Sequence, residues 1–429
     1  MRGRALRLRV LTFAAAAVAA AAASAGAQQP SRPHWIATWS PSASPMPPRP
    51  AAGTPDPVPT YVHRTLREIV RTTLGGDSLR IRISNEYGDR PVTIGDARVA
   101  LRADGANTRP GTDRAITFGG RTWVTIGAGA AVTSDAIAYH VPQLADLAIS
   151  LYLPDSARTS TRHLLGLQTN YVSGPGDFAG ATAFQADTTV DQWIFLTGVD
   201  VTNPSAAGAI VAFGNSITDG YHSTPDSNRR WPDDLARRLL TTRGAPVMSV
   251  VNAGISGNRV LNPGAGPSAL ARFDRDVLDE PGVRYVIILE GINDIGRANF
   301  SKDAADSVSA ADVIFGLRQL AQRAHERGVV VYGATLTPFE APEPYDYYSA
   351  ASEAKRDSVN AWIRTGGAFD GVVDFDGVTR DPSHPTRFLP AYDGDHLHPN
   401  DAGYAAMARS IDLGLFRAPR VRHQRDNRP

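Results

Sequence analysis

The spacing of apolar residues changes near Pro204, and this change limits the folds open to the chain. Beyond it, short apolar runs alternate with longer stretches that carry apolar residues at helical spacing. Such alternation is typical of βαβ units and a parallel sheet. Before it, apolar and polar residues alternate in short segments separated by turn residues, which is typical of strands. The sequence therefore predicts a β-rich domain over 28–205 and an α/β domain over 206–416.

Five strands and five helices are expected in the α/β domain. The strands are predicted at 210–213, 248–252, 285–289, 329–334 and 372–375. The helices are predicted at 231–240, 269–278, 310–327, 352–365 and 402–411. The third helix has the clearest pattern, with apolar residues at helical spacing and Gly328 as a stop. Asn400 is placed to cap the last helix.

In the β-rich domain, three segments alternate apolar and polar residues as half-buried strands do, at 79–83, 122–126 and 148–153. Their short spacing predicts a sandwich or jelly roll. The segment 40–59 carries too many prolines for regular structure and is expected to run as an extended loop.

The first 27 residues have the pattern of an export signal, which predicts a secreted or periplasmic protein beginning at Gln28. An apolar run over 10–23 ends in the cleavage motif Ala25-Gly26-Ala27. The run is preceded by four basic residues, Arg2, Arg4, Arg7 and Arg9. The alternative, a membrane anchor, is disfavoured because the run is short for a bilayer.

Composition excludes several classes of function. The chain has no cysteine, so disulfides and cysteine-based catalysis or metal sites are ruled out. Its formal net charge of +1 becomes −3 without the four signal arginines, which gives no reason to expect nucleic acid or an anionic membrane surface as a partner. The basic tail over 417–429 is expected to be a solvated terminus. Stable membrane insertion of the mature chain is not expected.

Ser216 follows a predicted buried strand in the stretch Gly214-Asn215-Ser216. This position places its hydroxyl at the C-terminal edge of the sheet, where open α/β sheets bind ligands. A serine needs a base to act as a nucleophile, and a histidine-rich block lies far downstream at 393–400. Taken alone, Ser216 could instead cap the turn that follows it.

Two blocks between the serine and the histidines could supply donors to an oxyanion. One spans 252–258 and contains Gly257, and the other spans 290–294 and contains Asn293. Each has an ordinary structural explanation as well. Gly257 could simply occupy a positive-φ position, and Asn293 could be a turn residue.

The four blocks in this order resemble the SGNH hydrolases, the GDSL-type esterases and lipases. The resemblance covers about the second half of the chain and implies a three-layer, flavodoxin-like α/β fold with a parallel sheet. It implies a catalytic triad of Ser216, His398 and Asp395, and an oxyanion hole built from Ser216, Gly257 and Asn293. One departure is that the family's Gly-Asp-Ser-Leu core is Gly-Asn-Ser-Ile here, with Asn215 in place of the acid.

The histidine block offers two Asp-x-x-His frames, Asp393 with His396 and Asp395 with His398. We favour the second frame because Pro399 and a helix start follow its histidine, as in the family. His396 is then expected near the site or on the surface. The cluster also allows a metal site, although no further ligand is apparent on other strands. No cofactor is implied.

These features predict a secreted serine ester hydrolase that acts through an acyl-enzyme on an ester of a small molecule or a polysaccharide. No long apolar lid segment is seen, which favours short acyl groups. Export and an added β-domain that could hold a glycan would suit a carbohydrate O-deacetylase. A lipase or lysophospholipase-type esterase is the alternative. Other possibilities are a peptidase or thioesterase with the same triad, and a non-catalytic glycan-binding protein on a hydrolase fold.

Overall fold

The computed structural model describes residues 34–51, 53–340 and 346–417. The expected export signal over 1–27 lies outside these residues, as does the tail beyond residue 417. The described residues, from His34 on, belong to one compact unit. The boundary at 205/206 between two domains stays a prediction, although two separate hydrophobic clusters are present.

A five-stranded parallel sheet carries the second half of the chain, as predicted. Along the sheet, the strands follow the sequence order second, first, third, fourth, fifth. In chain order they are Gly208–Gly214, Met248–Gly254, Val283–Leu289, Val330–Ala334 and Gly371–Val373. The first strand is completely buried, which explains its continuous apolar run.

Helices connect the strands and contribute to one hydrophobic cluster with the sheet. The longer ones are Trp231–Thr241, Ile292–Ser301, Ala310–Glu326, Ala350–Thr365 and Asp401–Ser410. Shorter segments are Ser216–Asp219, Ala269–Phe273 with a π-helical continuation Asp274–Leu278, Ala304–Asp306, Phe375–Thr379 and Leu413–Phe416. A two-stranded hairpin is formed by Arg380–Asp381 and His384–Phe388.

The predicted helices all form, but two segments differ from expectation. The helix Ile292–Ser301 was not expected, because its Gly-rich start at Gly291 reads as a turn. The fifth strand was expected to reach residue 375 but ends at Val373. There, the side chain of Asp374 accepts from the Gly377 N–H and starts the short helix Phe375–Thr379 instead.

The region before Pro204 is all β, as predicted, and its strands pair in antiparallel fashion. One sheet contains Trp35–Trp39, Leu196–Thr202, Gly76–Ser84, Ala131–Thr133 and Ile137–Val141. The other contains Ala186–Val190, Asn170–Pro175, Arg64–Arg71, Asp146–Leu153, Asp96–Leu101 and Arg114–Ala115. Apolar side chains of both sheets share one buried cluster.

Smaller antiparallel sheets complete this region. They are formed by Ala157–Arg158 with Thr60–Tyr61, by Val92–Ile94 with Val124–Ile126, and by Trp193–Ile194 with Thr161–His163 and Ser44–Pro45. Within the proline-rich segment, the described residues form only the two-residue strand Ser44–Pro45, in keeping with an extended loop.

The β-rich region packs directly on the α/β region through buried polar contacts. Ser40 donates its hydroxyl to Glu280 at 2.6 Å, and Arg82 pairs with the same carboxylate at 2.6 Å. The backbone N–H of Ala37 donates to the carbonyl of Pro281 at 2.9 Å. These contacts hold the β-rich region against the turn that precedes the third parallel strand.

Candidate active site

Ser216 lies directly beyond the C-terminal end of the first parallel strand, as the sequence predicts. Asn215 caps the short helix Ser216–Asp219, because its side-chain oxygen accepts from the Ile217 N–H at 3.0 Å. The Asn215 amide donates to the Leu289 carbonyl at 3.3 Å and to the Glu290 carboxyl at 3.4 Å. An aspartate could not donate these bonds, which gives a local reason for asparagine at this position.

The structure brings Ser216, His398 and Asp395 together. Oγ of Ser216 lies 2.8 Å from Nε2 of His398. Nδ1 of His398 lies 2.9 Å and 3.0 Å from the two oxygens of Asp395. This arrangement fixes the tautomer in which Nδ1 donates and Nε2 can accept the serine proton.

A tight loop holds the Asp395 carboxylate under the imidazole. Oδ1 of Asp395 accepts the backbone N–H groups of Leu397 at 3.1 Å and His398 at 2.7 Å. His398 is buried, and burial lowers its pKa, partly opposed by Asp395. The ring is therefore poised as a neutral base.

The second Asp-x-x-His frame forms the same local pair but faces elsewhere. Nδ1 of His396 lies 2.6 Å from Oδ2 of Asp393, and the His396 side chain is 56% exposed. Its backbone has a φ of 70°, and Asp393 forms an antiparallel bridge with Pro399, so the chain turns back within the segment that contains both histidines. Only the Asp395–His398 frame is hydrogen-bonded to Ser216 within the described residues.

The expected oxyanion donors converge on one pocket. Its volume is about 210 Å³, and its lining includes Ser216, Gly257, Asn293 and His398. Gly257 has a φ of 78°, which favours glycine there. Within the described ranges, the backbone N–H groups of Ser216 and Gly257 have no protein acceptor, so both can donate to a ligand.

Asn293 occupies the second position of the helix Ile292–Ser301, after Gly291 with a φ of 122°. A Cβ atom at Gly291 would lie 2.9 Å from Val313, so glycine is also required by packing. Nδ2 of Asn293 donates to the Asn258 carbonyl at 2.7 Å, which uses one of its two N–H bonds. This bond orients the amide in the pocket and leaves the other N–H for a ligand.

Two buried carboxyl groups of the 290–294 block, those of Asp294 and Glu290, bind segments that surround the site. Asp294 accepts the backbone N–H groups of Val260 at 2.7 Å and Leu261 at 3.1 Å, and burial raises its pKa to about 6. Glu290 lies 3.4 Å from Nη2 of Arg272, and burial raises its pKa to about 8. Both groups therefore stabilise neighbouring segments of the chain, and neither lines the pocket.

Arg272 connects several segments next to the site, and it was not identified from the sequence. Its guanidinium donates to the carbonyls of Gly214 at 2.9 Å and Ala253 at 2.8 Å, at the ends of two parallel strands. It also donates to the side-chain oxygen of Asn258 at 2.9 Å. Nothing in the local sequence distinguishes this arginine, because its partners are dispersed along the chain.

Sequence reasoning also missed His222 and Asp219. Nε2 of His222 lies 3.1 Å from Oδ2 of Asp395, and Asp219 pairs with a histidine of the β-rich region. Both follow Ser216 closely in the sequence, so proximity to the predicted nucleophile was the available signal. No group of three or more metal-ligating side chains occurs among residues 34–51, 53–340 and 346–417. In these same residues, no helix has both the length and the apolar character needed to span a bilayer.

The model of the GDSL-like lipase/acylhydrolase family matches residues 212–406, which include the Ser216 and His398 blocks. Residues 212–406, called the acylhydrolase region below, are therefore similar to that family. The family implies ester hydrolysis as the reaction of the acylhydrolase region. No curated protein matches the chain significantly.

Several solved structures are similar to about half of this chain. A GDSL-like lipase from Bacteroides thetaiotaomicron VPI-5482 is 21% identical, with a TM-score of 0.36, over 48% of this chain and 87% of its own. A mutant acetyl-xylooligosaccharide esterase from Geobacillus Stearmophilus is 21% identical, with a TM-score of 0.38, over 49% and 97%. An aryl esterase from M. Smegmatis is 16% identical, with a TM-score of 0.37, over 47% and 95%.

Proposed function

We propose that the chain is an exported serine ester hydrolase that cleaves short acyl esters through an acyl-enzyme intermediate. The observation that carries this proposal is the hydrogen-bonded series Ser216, His398 and Asp395 at the wall of a small pocket. The strand order of the parallel sheet also supports a three-layer, flavodoxin-like fold, whose ligand site lies at the C-terminal edge.

In the first half of the reaction, Oγ of Ser216 attacks the ester carbonyl while Nε2 of His398 takes its proton. Negative charge then builds on the carbonyl oxygen. The N–H groups of Ser216 and Gly257 and the side-chain amide of Asn293 are the donors available to it. His398 next gives its proton to the leaving alcohol, and the acyl group remains on Ser216.

In the second half, neutral His398 takes a proton from water, whose oxygen attacks the acyl-serine carbonyl. The bond between the acyl carbon and Oγ of Ser216 then breaks, His398 returns its proton to Oγ, and the acid is released. Asp395 keeps the imidazole in one tautomer and stabilises the imidazolium that forms in both steps. No residue outside this set has to exchange a proton.

Pocket size supports a short acyl group. Its volume of about 210 Å³ is below the roughly 300–1,000 Å³ of typical drug-sized ligand sites. Two aromatic residues, Tyr221 and Tyr347, and the apolar Leu397 narrow it. An acetyl ester, including one on a polysaccharide, suits this space better than a long fatty acyl chain.

The test is a series of p-nitrophenyl esters from acetate to palmitate, run beside acetylated xylan and acetylated pectin. We expect the highest kcat/KM for acetate and its near homologues, and no turnover by the matched Ser216→Ala variant. A maximum at palmitate would support a lipase instead. Absence of hydrolysis across the whole series, with a correctly folded enzyme, would overturn the proposal and favour a glycan-binding protein.

A further inference from the structure

His163 lies in the β-rich region, on the strand Thr161–His163, and contacts the segment that follows the nucleophile. Its side chain is buried, with 5% exposed. Nε2 lies 2.9 Å from Oδ1 of Asp219 and 3.2 Å from the Leu165 carbonyl, and Nδ1 lies 2.9 Å from the Ser42 carbonyl. Each ring nitrogen therefore faces oxygen acceptors.

This geometry requires a charged ring. The carbonyls of Ser42 and Leu165 can only accept, so both nitrogens must carry a proton when all three contacts are made. Burial and nearby Arg230 oppose the charge, but the Asp219 carboxylate and the Ser42 carbonyl outweigh them, and the pKa of His163 is raised. The contact is a buried imidazolium–carboxylate pair.

The other oxygen of Asp219 reaches the oxyanion turn. Oδ2 accepts the backbone N–H of Ser256 at 2.9 Å and its hydroxyl at 2.7 Å. Ser256 directly precedes Gly257, which lines the pocket. Asp219 itself ends the four-residue helix that begins at Ser216. One carboxylate thus ties the nucleophile's helix to the turn that carries an oxyanion donor.

We propose that His163 is a positioning residue for ester hydrolysis, supplied to the acylhydrolase region by the β-rich region. Its imidazolium holds Asp219 in one orientation, and Asp219 in turn holds Ser216 and Gly257 at the distance that oxyanion binding needs. The inference rests on the proposed function. It gives the β-rich region a part in the reaction that is independent of any glycan binding.

Asn293, the side-chain donor expected for the oxyanion, is also linked to the β-rich region, through Ser42. Oγ of Ser42 accepts from Nη1 of Arg272 at 2.9 Å, and Arg272 donates to the side chain of Asn258. The Asn258 carbonyl accepts from Asn293. Residue 42 therefore contacts, through its carbonyl and its hydroxyl, the residues that hold both sides of the pocket.

The test compares two substitutions of similar size in the full-length enzyme. His163→Leu removes both donors, whereas His163→Gln keeps an amide N–H that can face Asp219. A misplacement of 1 Å can cost about 10²-fold in rate, so we expect His163→Leu to lower kcat by about 10- to 100-fold with little change in KM. His163→Gln should recover part of that loss.

Active sites are counted with a phosphonate ester, so that kcat is expressed per competent site. A purely structural role would lower the melting temperature or the number of competent sites and leave kcat per site unchanged. Asp219→Asn provides the same test if His163→Leu does not fold, because it keeps the shape and removes the charge. His140→Leu is the matched control, since His140 forms an exposed pair with Asp77 at 2.8 Å in the same region.

Two failures are distinguishable. If Ser216→Ala retains turnover, the proposed function is wrong. If Ser216→Ala is inactive while His163→Leu and Asp219→Asn both keep wild-type kcat per site, the function stands and the positioning role of His163 is overturned.

Discussion

Nε2 of His222 lies 3.1 Å from Oδ2 of Asp395, so a single carboxylate faces two imidazole rings. The His222 ring stacks on the His398 ring with centroids 6.2 Å apart. Burial is the largest cause that lowers the pKa of His398, and the electrostatic interaction with His222 lowers it further, while Asp395 opposes both. His398 consequently stays neutral, and able to accept a proton, at lower pH than a free imidazole.

This arrangement predicts the acid limb of the pH profile. We expect kcat/KM to rise as the pH rises through the lowered pKa of His398 and to level off above it. His222→Gln removes one cause of the lowering, so its acid limb should move to higher pH while the plateau changes little. Profiles measured for both enzymes check this. An acid limb at an unchanged pH in the variant would contradict the role of His222.

Substitutions in the two Asp-x-x-His frames should have different effects on activity. His398→Ala is expected to lower kcat on the order of 10³-fold or more, because triad members act as a unit. His396→Ala should retain most activity, since its ring is exposed and paired with Asp393. Turnover of both purified variants on p-nitrophenyl acetate measures the difference. Equal losses, together with inactivation of the wild type by a strong chelator, would indicate a metal site instead.

Asn293→Ala should act on the transition state. The variant loses an amide donor whose bond strengthens as negative charge builds on the carbonyl oxygen. Such a donor contributes about 10²–10³-fold in kcat, or roughly 3–4 kcal/mol, and we expect KM to change little. Turnover is measured per titrated site. Full kcat per site with fewer competent sites would instead assign Asn293 a structural role, through its bond to Asn258.

The raised pKa of Glu290 predicts that the free energy of unfolding depends on pH. Burial raises its pKa from 4.5 to about 8, so the folded state holds the proton more tightly than the unfolded chain. This contribution to the free energy of unfolding is fully present below pH 4.5 and is lost as the pH rises through about 8. Glu290→Gln cannot ionise and should flatten that decline. Denaturant unfolding at several pH values measures it, and an identical slope in both proteins would refute the assignment.

Local patterns predicted much of the fold. The completely buried strand Gly208–Gly214 is visible as a continuous apolar run, and the helix Ala310–Glu326 as apolar residues at helical spacing. The helix Ile292–Ser301 was missed because its apolar residues are few and it begins at Gly291 with positive φ. The fifth strand was predicted to reach residue 375, but it ends earlier because the side chain of Asp374 caps the helix that follows. The strand-forming residues around Asp374 gave no sign of this cap.

The candidate site, like the fold, could be predicted only where the sequence carries a local signal. Ser216, His398, Asp395, Gly257 and Asn293 are recognisable because each belongs to a short block. The residues that hold them come from distant parts of the chain. His163 lies 56 positions before its partner Asp219, and Ser42 lies 230 positions before Arg272. Contacts of this kind follow from the packing of the two regions and leave no periodic or local signal.

The most direct test of the account is covalent labelling of Ser216. The full-length enzyme is treated with a p-nitrophenyl phosphonate ester, and released nitrophenol, residual activity and the mass of each peptide are measured together. We predict one phosphonyl group per chain, located on Ser216, with activity lost in proportion and no label on Ser216→Ala. A label on another residue that abolishes activity, or full turnover by enzyme labelled at Ser216, would contradict the proposed mechanism.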